Sequence, residues 1–539
     1  MISLAPYVQQ ADHSPMKHLL RRAIVRLKQN NLLRRAVFRL RAISPDRRTA
    51  VLGRAGTLLE AGNFNQAAEC LISTEPKTVR AWRALLNALL AAHRFEELVG
   101  TYEAMPTEAK RDFDCRYLYL LAAANLKRSD VVRGIIEAVL QEPDSEEASA
   151  FLAKAYLFAE TSGSVTGREA LRRILDHAPF LAASHFDILL KCVHYLRAER
   201  KGAESLDLEA ALRREARSDR NRSKIDILDA QIHFGNGRYD LQLAGINAVL
   251  ARQALDPVSL KDASAPFSCD NLAASSVGAG SVRGPLVSIL MPAYNSAQTL
   301  SYALESLRNQ TYQDVEVIIV DDSSQDDTAL IATRFCDADP RFRLIRLERN
   351  SGAFVARNTA LAAAKGEFVT NQDADDWAHP QKIATAVAEL QRNQSAIATW
   401  VEHIRCSRER GFRALNGYLR PDASSLMFRR SPVIDRIGWY DSVRAAGDGE
   451  FHLRMERAFG RHSIQKIDKL LSFVNWSEAT LSGGGAFAID SEMGLFSPAR
   501  SAYRRAFGLW HETTERLYMP FPLEARPFPI PDSLRSTPA

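Results

Sequence analysis

The chain has 539 residues, too many for one ordinary core, so two to four domains are expected. With 46% hydrophobic and 25% charged residues it has the make-up of a soluble globular protein, and no apolar run approaches the roughly 20 residues that span a bilayer. The net charge of +6 is modest, and six scattered cysteines without a CxxC pair argue against a zinc site or disulfide framework and for a reducing cytoplasm.

Residues 1–48 read as a basic helical segment. Met1 to Gln10 lacks the charged-then-apolar layout of a signal peptide. From Lys17 to Arg48 there are eleven Lys or Arg against the single acid Asp46. Leu20, Ile24 and Leu27, then Leu33, Val37 and Leu40, fall at helical spacing. Such helices either cap a following helical array or lie on an anionic membrane surface, which would put the protein at the inner face of the membrane. Few aromatics interleave with the charges, so nucleic acid is not expected as a partner.

Residues 49–252 read as helices broken by short polar turns at Glu60–Phe64, Ala92–Phe95, Lys127–Val131 and Gly235–Tyr239. Pro76, Pro106, Pro143 and Pro179 follow one another at intervals of 30, 37 and 36 residues, near the ~34-residue period of tetratricopeptide arrays. The region resembles a degenerate tetratricopeptide-like solenoid. Stacked helix pairs of that kind offer a concave surface, so either a protein partner or a rigid spacer role is implied.

Residues 253–284 are rich in Ser, Ala and Gly with Pro257 and Pro266, the chemistry of a flexible linker. A new texture starts at Pro285: aliphatic runs at Leu286–Met291, Val315–Val320, Phe342–Leu347 and Glu367–Thr370 alternate with helical stretches. This β-α-β pattern over 285–495 implies a mostly parallel sheet covered on both faces, with ligands at the carboxyl ends of its strands. Beyond it, 496–539 reads as an amphipathic helix, Ser497 to Glu515, and a proline-rich extended tail.

Polar clusters stand where three of those strands end: Met291–Asn295, Asp321–Ser324 and Gln372–Asp376. In the last, Asp373, Asp375 and Asp376 crowd like charges together, which suits a hard divalent cation or, alternatively, a solvated acidic loop. Four ordered stretches, Val287–Asn295, Val320–Thr328, Asn350–Asn358 and Asp373–Asp376, resemble the family 2 glycosyltransferases of GT-A fold. The likeness covers residues 285 to about 482.

That resemblance makes the fold class an N-terminal all-α, tetratricopeptide-like repeat followed by an α/β, Rossmann-like GT-A domain with a mostly parallel sheet. It implies transfer of a sugar from a nucleotide-sugar donor, a UDP-sugar by the motif, to a glycan, lipid-linked or protein hydroxyl. Pro292 and Tyr294 then lie at the nucleotide, with Tyr294 stacking on the base. Asp322, or failing it Asp321, accepts from uracil N–H, Arg357 approaches the diphosphate, and Asp373 lies at the nucleotide-sugar. The acidic motif Asp373, Asp375 and Asp376 holds Mn²⁺ or Mg²⁺. Ala446–Arg454 resembles the acceptor-side motif, with Asp448 as general base for an inverting displacement and Glu450 as second candidate. An N-cap role for Asp448 is the bland alternative, and His452 reads as a helix-face residue.

One departure stands out: a basic, hydroxyl-rich segment often follows that helix in the family. Here the stretch is Asn475–Gly485, with Trp476, Ser477 and Thr480 but no Lys or Arg. The rival to an enzyme is a helical-repeat scaffold carrying an inactive transferase-like domain. The joint presence of Asp322, Asp373, Asp375 and Asp448 argues against it.

Overall fold

Val287–Ala293 and Val315–Asp321 bury side chains on both faces, which requires a sheet covered above and below. The computed structural model has that form. It describes residues 47–536 apart from 74–75, 77, 163, 200–201, 275–279, 415–416, 422, 478–479, 481–483 and 491–494. The basic segment expected over 1–48 lies, but for its last two positions, outside the described residues.

The chain forms two compact units that divide inside the helix Phe113–Asn125. In the first, helices Arg47–Glu60, Phe64–Ile72, Val79–Ala91 and Phe95–Ala104 bury Ala67, Ala68, Leu85, Leu86, Leu89 and Leu98. Two of the turns expected from sequence end their helices with a left-handed residue. Gly62 (φ 76°) and His93 (φ 56°) let Asn63 N–H reach Leu58 O at 2.8 Å and Arg94 N–H reach Leu89 O at 2.9 Å. Those bonds satisfy carbonyls that a helix end would otherwise orphan.

The second unit repeats the device at Lys127 (φ 59°) and Gly237 (φ 67°), and its helices run to Tyr239–Arg252. The break between units falls inside the expected helical domain 49–252, not at its end. Helices beyond 123 are bonded to the sheet by His194 Nδ1 and Tyr418 OH at 2.8 Å and by Arg220 Nη1 and Glu402 Oε1 at 2.6 Å. Phe412 N–H adds a bond to Gln231 Oε1 at 2.6 Å.

The stretch 253–284 departs from the expected flexible linker. It carries β1 (Val258–Leu260) and β2 (Leu272–Ala274), paired antiparallel, and buries Leu255, Val258, Phe267, Cys269 and Leu272. Small polar residues give it the composition of a linker, but five apolar anchors spaced among them pin it down. Phe267 meets Phe412 and Phe473 at 5.2 and 5.3 Å, and Asp256 N–H donates to Gln381 Oε1 at 2.8 Å.

The main sheet comprises β3 (Val287–Ala293), β4 (Val315–Asp321), β5 (Phe342–Arg346), β6 (Phe368–Asn371), β7 (Trp377–Ala378), β8 (Ala398–Ser407), β9 (Gly411–Phe412), β10 (Arg420–Pro421), β11 (Met427–Arg429) and β12 (Ile464–Asn475). Its order is β5-β4-β3-β6-β11-β8-β12-β7, with β9 and β10 paired to β8. The β5 to β6 half is parallel. Beyond it β11 and β7 run antiparallel to their neighbours while β12 runs parallel to β8. Because β4 and β6 leave β3 on opposite sides, a crevice opens at the carboxyl ends of β3 and β6.

Helices α1 (Leu300–Arg308), α2 (Thr328–Ala338), α3 (Ala353–Ala363), α4 (Lys382–Arg392), α5 (Arg430–Ile437), α6 (Gly447–Phe459) and α7 (Pro498–Thr513) accompany these strands. As the apolar spacing predicts, α7 buries Tyr503, Phe507 and Trp510. The proline-rich tail has almost no regular structure, yet it is core material. Met519, Phe528, Ile530 and Leu534 join a cluster with Phe354, Tyr440 and Phe451.

Candidate active site

Two strand exits are stitched together first. Asn295 (φ 48°) and Ser323 (φ 65°) take left-handed conformations, Asn295 N–H donates to Ser324 Oγ at 2.9 Å, and Gln325 N–H returns to Asn295 Oδ1 at 2.9 Å. This leaves the Tyr294 ring 48% exposed beside the turn, available for stacking, with Pro292 part-buried at the end of β3. Asp326, two residues before the first residue of α2, accepts from Thr328 N–H and Ala297 N–H.

Asp321 and Asp322 are both buried. Asp322 accepts Ser351 N–H and Gly352 N–H, each at 2.7 Å, and so anchors the loop that starts α3; burial pushes its carboxyl up against those two bonds. Asp321 accepts Ser324 N–H at 3.1 Å, and its other oxygen lies 3.5 Å from Arg346 Nε. Carboxylate oxygens hold two lone pairs each, so the pair retains acceptor capacity.

The acidic turn follows β6. Arg357, buried on α3 with its Cζ 4.7 Å over the Phe354 ring, donates to Asp373. Asp376 is buried and accepts Asn475 N–H at 2.9 Å, which ties the turn to the end of β12. Asp375 is part-exposed, and its backbone carbonyl accepts from Tyr302 OH at 2.9 Å. Dry surroundings, and then the charge of Asp373, push the Asp375 carboxyl up to about 7. A cation would relieve that repulsion, so the chemistry of the turn fits a divalent ion. Among the described residues no three Asp, Glu, His or Cys side chains converge into a complete cage. Mg²⁺-type ions commonly take one or two carboxylates and complete their shell with substrate phosphate and water.

Asp448 stands at the second position of α6, whose N-cap is Ala446 (φ 68°), so it is not the helix cap. Its neighbour Gly447 lies against the Phe354 ring that carries Arg357, and the charge of Asp448 acts on Arg357 and Tyr440. Tyr440 braces this region: its backbone exchanges bonds with Asn358 at 2.8 and 3.0 Å, its hydroxyl accepts from Asn371 at 2.9 Å, and its ring stacks on Phe451 at 4.0 Å.

Glu450, the second candidate base, is corrected by its surroundings. Its carboxylate is fully buried and bonded to Arg454 at 2.8 and 2.9 Å and to His511 Nε2 at 2.8 Å. Although burial opposes it, Arg454 and His511 hold this carboxyl down to about 2. A group so engaged is structural. His452, as expected, belongs to packing: it stacks on Trp400 at 4.2 Å, and burial lowers it to about 4.

Residues without a local motif complete the neighbourhood. Asp441 accepts from Tyr503 OH at 2.9 Å and pairs with Arg526 from the tail, and Arg526 also donates to Ser442 O at 3.0 Å. Arg500 on α7 feels the charges of Asp448 and of Arg405 on β8. Neither arginine stands in a local motif with Asp448.

Residues 288–440 match the family model described as Glycosyl transferase family 2. A 197-residue stretch is 36% identical to a chondroitin synthase of Escherichia coli, covering 34% of this chain and 28% of that protein. A 108-residue stretch is 38% identical to the Escherichia coli UDP-Glc:alpha-D-GlcNAc-diphosphoundecaprenol beta-1,3-glucosyltransferase WfgD, covering 20% of this chain and 42% of that one. The chain thus spans 28% and 42% of the length of these curated relatives. Among solved structures, S. aureus TarS 1–349 in complex with UDP-GlcNAc is 22% identical with a TM-score of 0.31, covering 36% of this chain and 60% of that one. Among the described residues no helix is long and apolar enough to cross a membrane.

Proposed function

We propose that this chain, which carries a glycosyl transferase family 2 domain, transfers a sugar from a UDP-sugar to a hydroxyl of a glycan or glycoconjugate, with inversion at the anomeric carbon and with Mn²⁺ or Mg²⁺ at the diphosphate. The observation that carries this reading is the shared neighbourhood of Arg357, Asp373 and Asp448 at the carboxyl edge of the sheet. A UDP donor is also what the name of WfgD gives for that relative.

Tyr294 stacks on the base, and the Asp321–Asp322 pair supplies acceptors for its N–H. Arg357 turns from Asp373 toward the diphosphate, a match of guanidinium and phosphate geometry. Asp373 and Asp375 would hold the cation, since Asp376 is committed to Asn475. When bound, the cation supplies positive charge that stabilises the departing diphosphate. Asp448 takes the proton of the acceptor hydroxyl as its oxygen bonds to C1 and the C1–O bond to UDP breaks.

A protein partner on the helical region, an anionic membrane surface for residues 17–48 and a cytoplasmic site of action belong to the same proposal. Calorimetry with UDP, GDP and dTDP, with and without Mn²⁺, tests it. UDP binding that depends on Mn²⁺ and is lost in Asp375→Ala is expected. Binding of no nucleotide under any condition would favour the inactive scaffold.

A further inference from the structure

Arg444 stands where the C-terminal tail meets the loop between β5 and α3. Its backbone N–H donates to Leu534 O at 3.0 Å, and its neighbour Val443 forms a β-bridge with Arg535. Val443 belongs to the core cluster that also holds Met519, Phe528 and Leu534, so the root of the Arg444 side chain is fixed. Its guanidinium reaches the other way and donates to Asn350 Oδ1 at 2.6 Å.

Asn350 opens the short loop that leads through Ser351 and Gly352 into α3. Gly352 (φ 97°) packs directly on Arg444: a Cβ placed there would fall 3.4 Å from Arg444 Cγ and 3.7 Å from Val443 O. This loop supplies both bonds that hold Asp322, with Ser351 N–H on Oδ1 and Gly352 N–H on Oδ2, each at 2.7 Å. One bond to each oxygen fixes the plane of the carboxylate, because turning the group would break both. The lone pairs that remain are therefore aimed by the loop. Burial raises the Asp322 carboxyl, and beside the two N–H bonds the charge of Arg444 opposes that rise and favours the ionised, accepting form. Contacts thus run unbroken from Leu534 through Arg444 and the Asn350–Gly352 loop to Asp322.

We infer that Arg444 is a positioning residue for the donor's base, holding the Asn350–Gly352 loop so that Asp322 presents its remaining lone pairs to the uracil N–H. This deepens the proposed function and rests on its assignment of that N–H to the Asp321–Asp322 pair. Arg444 acts through Asp322, and no contact between Arg444 and the donor is assigned.

The test compares UDP with CDP on the full chain in the presence of Mn²⁺, by calorimetry. CDP has the same ribose and diphosphate, but its ring N3 carries no proton, so only UDP can donate to Asp322. The unsubstituted protein should prefer UDP by about tenfold or more, a difference of at least about 1.4 kcal/mol. Arg444→Met keeps the stem that packs on Gly352 and removes the guanidinium. It should cut the preference to about threefold or less through loss of UDP affinity, with CDP affinity within about twofold of the parent. Arg444→Lys, which keeps the charge and a donor, should restore much of the preference. Asn350→Ala breaks the same link from the other side, and the double variant Asn350→Ala, Arg444→Met should discriminate no worse than the weaker single one. Melting curves identify a variant that fails to fold, and the lysine and alanine variants then carry the test. An Arg444→Met protein that keeps the preference, or weakens UDP and CDP alike, would overturn the role of Arg444. Losses that add in the double variant would overturn it too. A parent that binds UDP and CDP equally, or neither, would instead sink the donor reading on which the inference rests.

Discussion

Arg357 and Asp373 hold each other across the crevice, from α3 to the end of β6, with Phe354 stacked beneath the guanidinium. The pair keeps a buried cation satisfied until an anionic ligand competes for it. Removing one member of such a pair leaves the other charge uncompensated.

Arg357→Gln should therefore weaken UDP binding about tenfold to a hundredfold, the loss of one charge-assisted hydrogen bond of roughly 1.5–3 kcal/mol. Calorimetry on the folded variant measures it. An unchanged affinity would remove Arg357 from the donor site.

The two carboxylates of α6 should separate cleanly. Asp448→Asn is expected to lose transfer while donor affinity and melting temperature stay close to those of the parent. Glu450→Gln breaks the pair with Arg454 and His511 and should cost about 3–5 kcal/mol of stability. Because the Glu450 carboxyl is held down to about 2, its contribution is present above the ordinary carboxylate range and fades as the pH falls toward 2. Acid unfolding of parent and variant would reveal that difference, and surviving transfer in Asp448→Asn would move the base elsewhere.

Asp375 gives the opposite sign. Its carboxyl is raised to about 7, so between about pH 4 and 7 the folded chain keeps a proton that the unfolded chain has released, and metal-free stability falls as the pH rises through that window. Asp375→Asn should accordingly raise the metal-free melting temperature at pH 8, by the equivalent of about 1–3 kcal/mol. Stabilisation of the parent by Mn²⁺ should grow from pH 5.5 to 7.5, since the bound cation needs the deprotonated form. A shift by Mn²⁺ that ignores pH would contradict the assignment.

Gly447 and Gly449 flank Asp448 and make a matched pair. A Cβ on Gly447 would fall 2.9 Å from the Phe354 ring, the same ring that supports Arg357, whereas one on Gly449 meets nothing within 4 Å. Gly447→Ala should cost about 1–3 kcal/mol and weaken UDP binding through Arg357. Gly449→Ala should leave UDP binding intact and stabilise α6 by about 0.5–1 kcal/mol. Thermal melts and UDP titrations of both variants provide the check.

The strand-end motifs and the helical turns were legible because each is local. Asp373–Asp376 sits at the end of its own strand, and Gly62 and His93 terminate the helices that precede them. What escaped the sequence is non-local. Glu450 looked like a base until Arg454 and His511 closed on it, and His511 lies 61 residues away. The stretch 253–274 has a linker's composition, but a handful of apolar anchors outweighed it.

The tail closes over Ile437–Arg444, the stretch that leads into α6. Met519 exchanges backbone bonds with Ile437 at 3.0 Å and Trp439 at 2.9 Å, Arg526 clamps Asp441, and Arg444 N–H donates to Leu534 O at 3.0 Å. At Gly438 (φ 71°) the main chains come so close that a side chain would strike Met519 O. A chain cut before Met519 would therefore leave Ile437, Trp439, Asp441 and Arg444 without these bonds, and with them the support of the stretch that leads into α6.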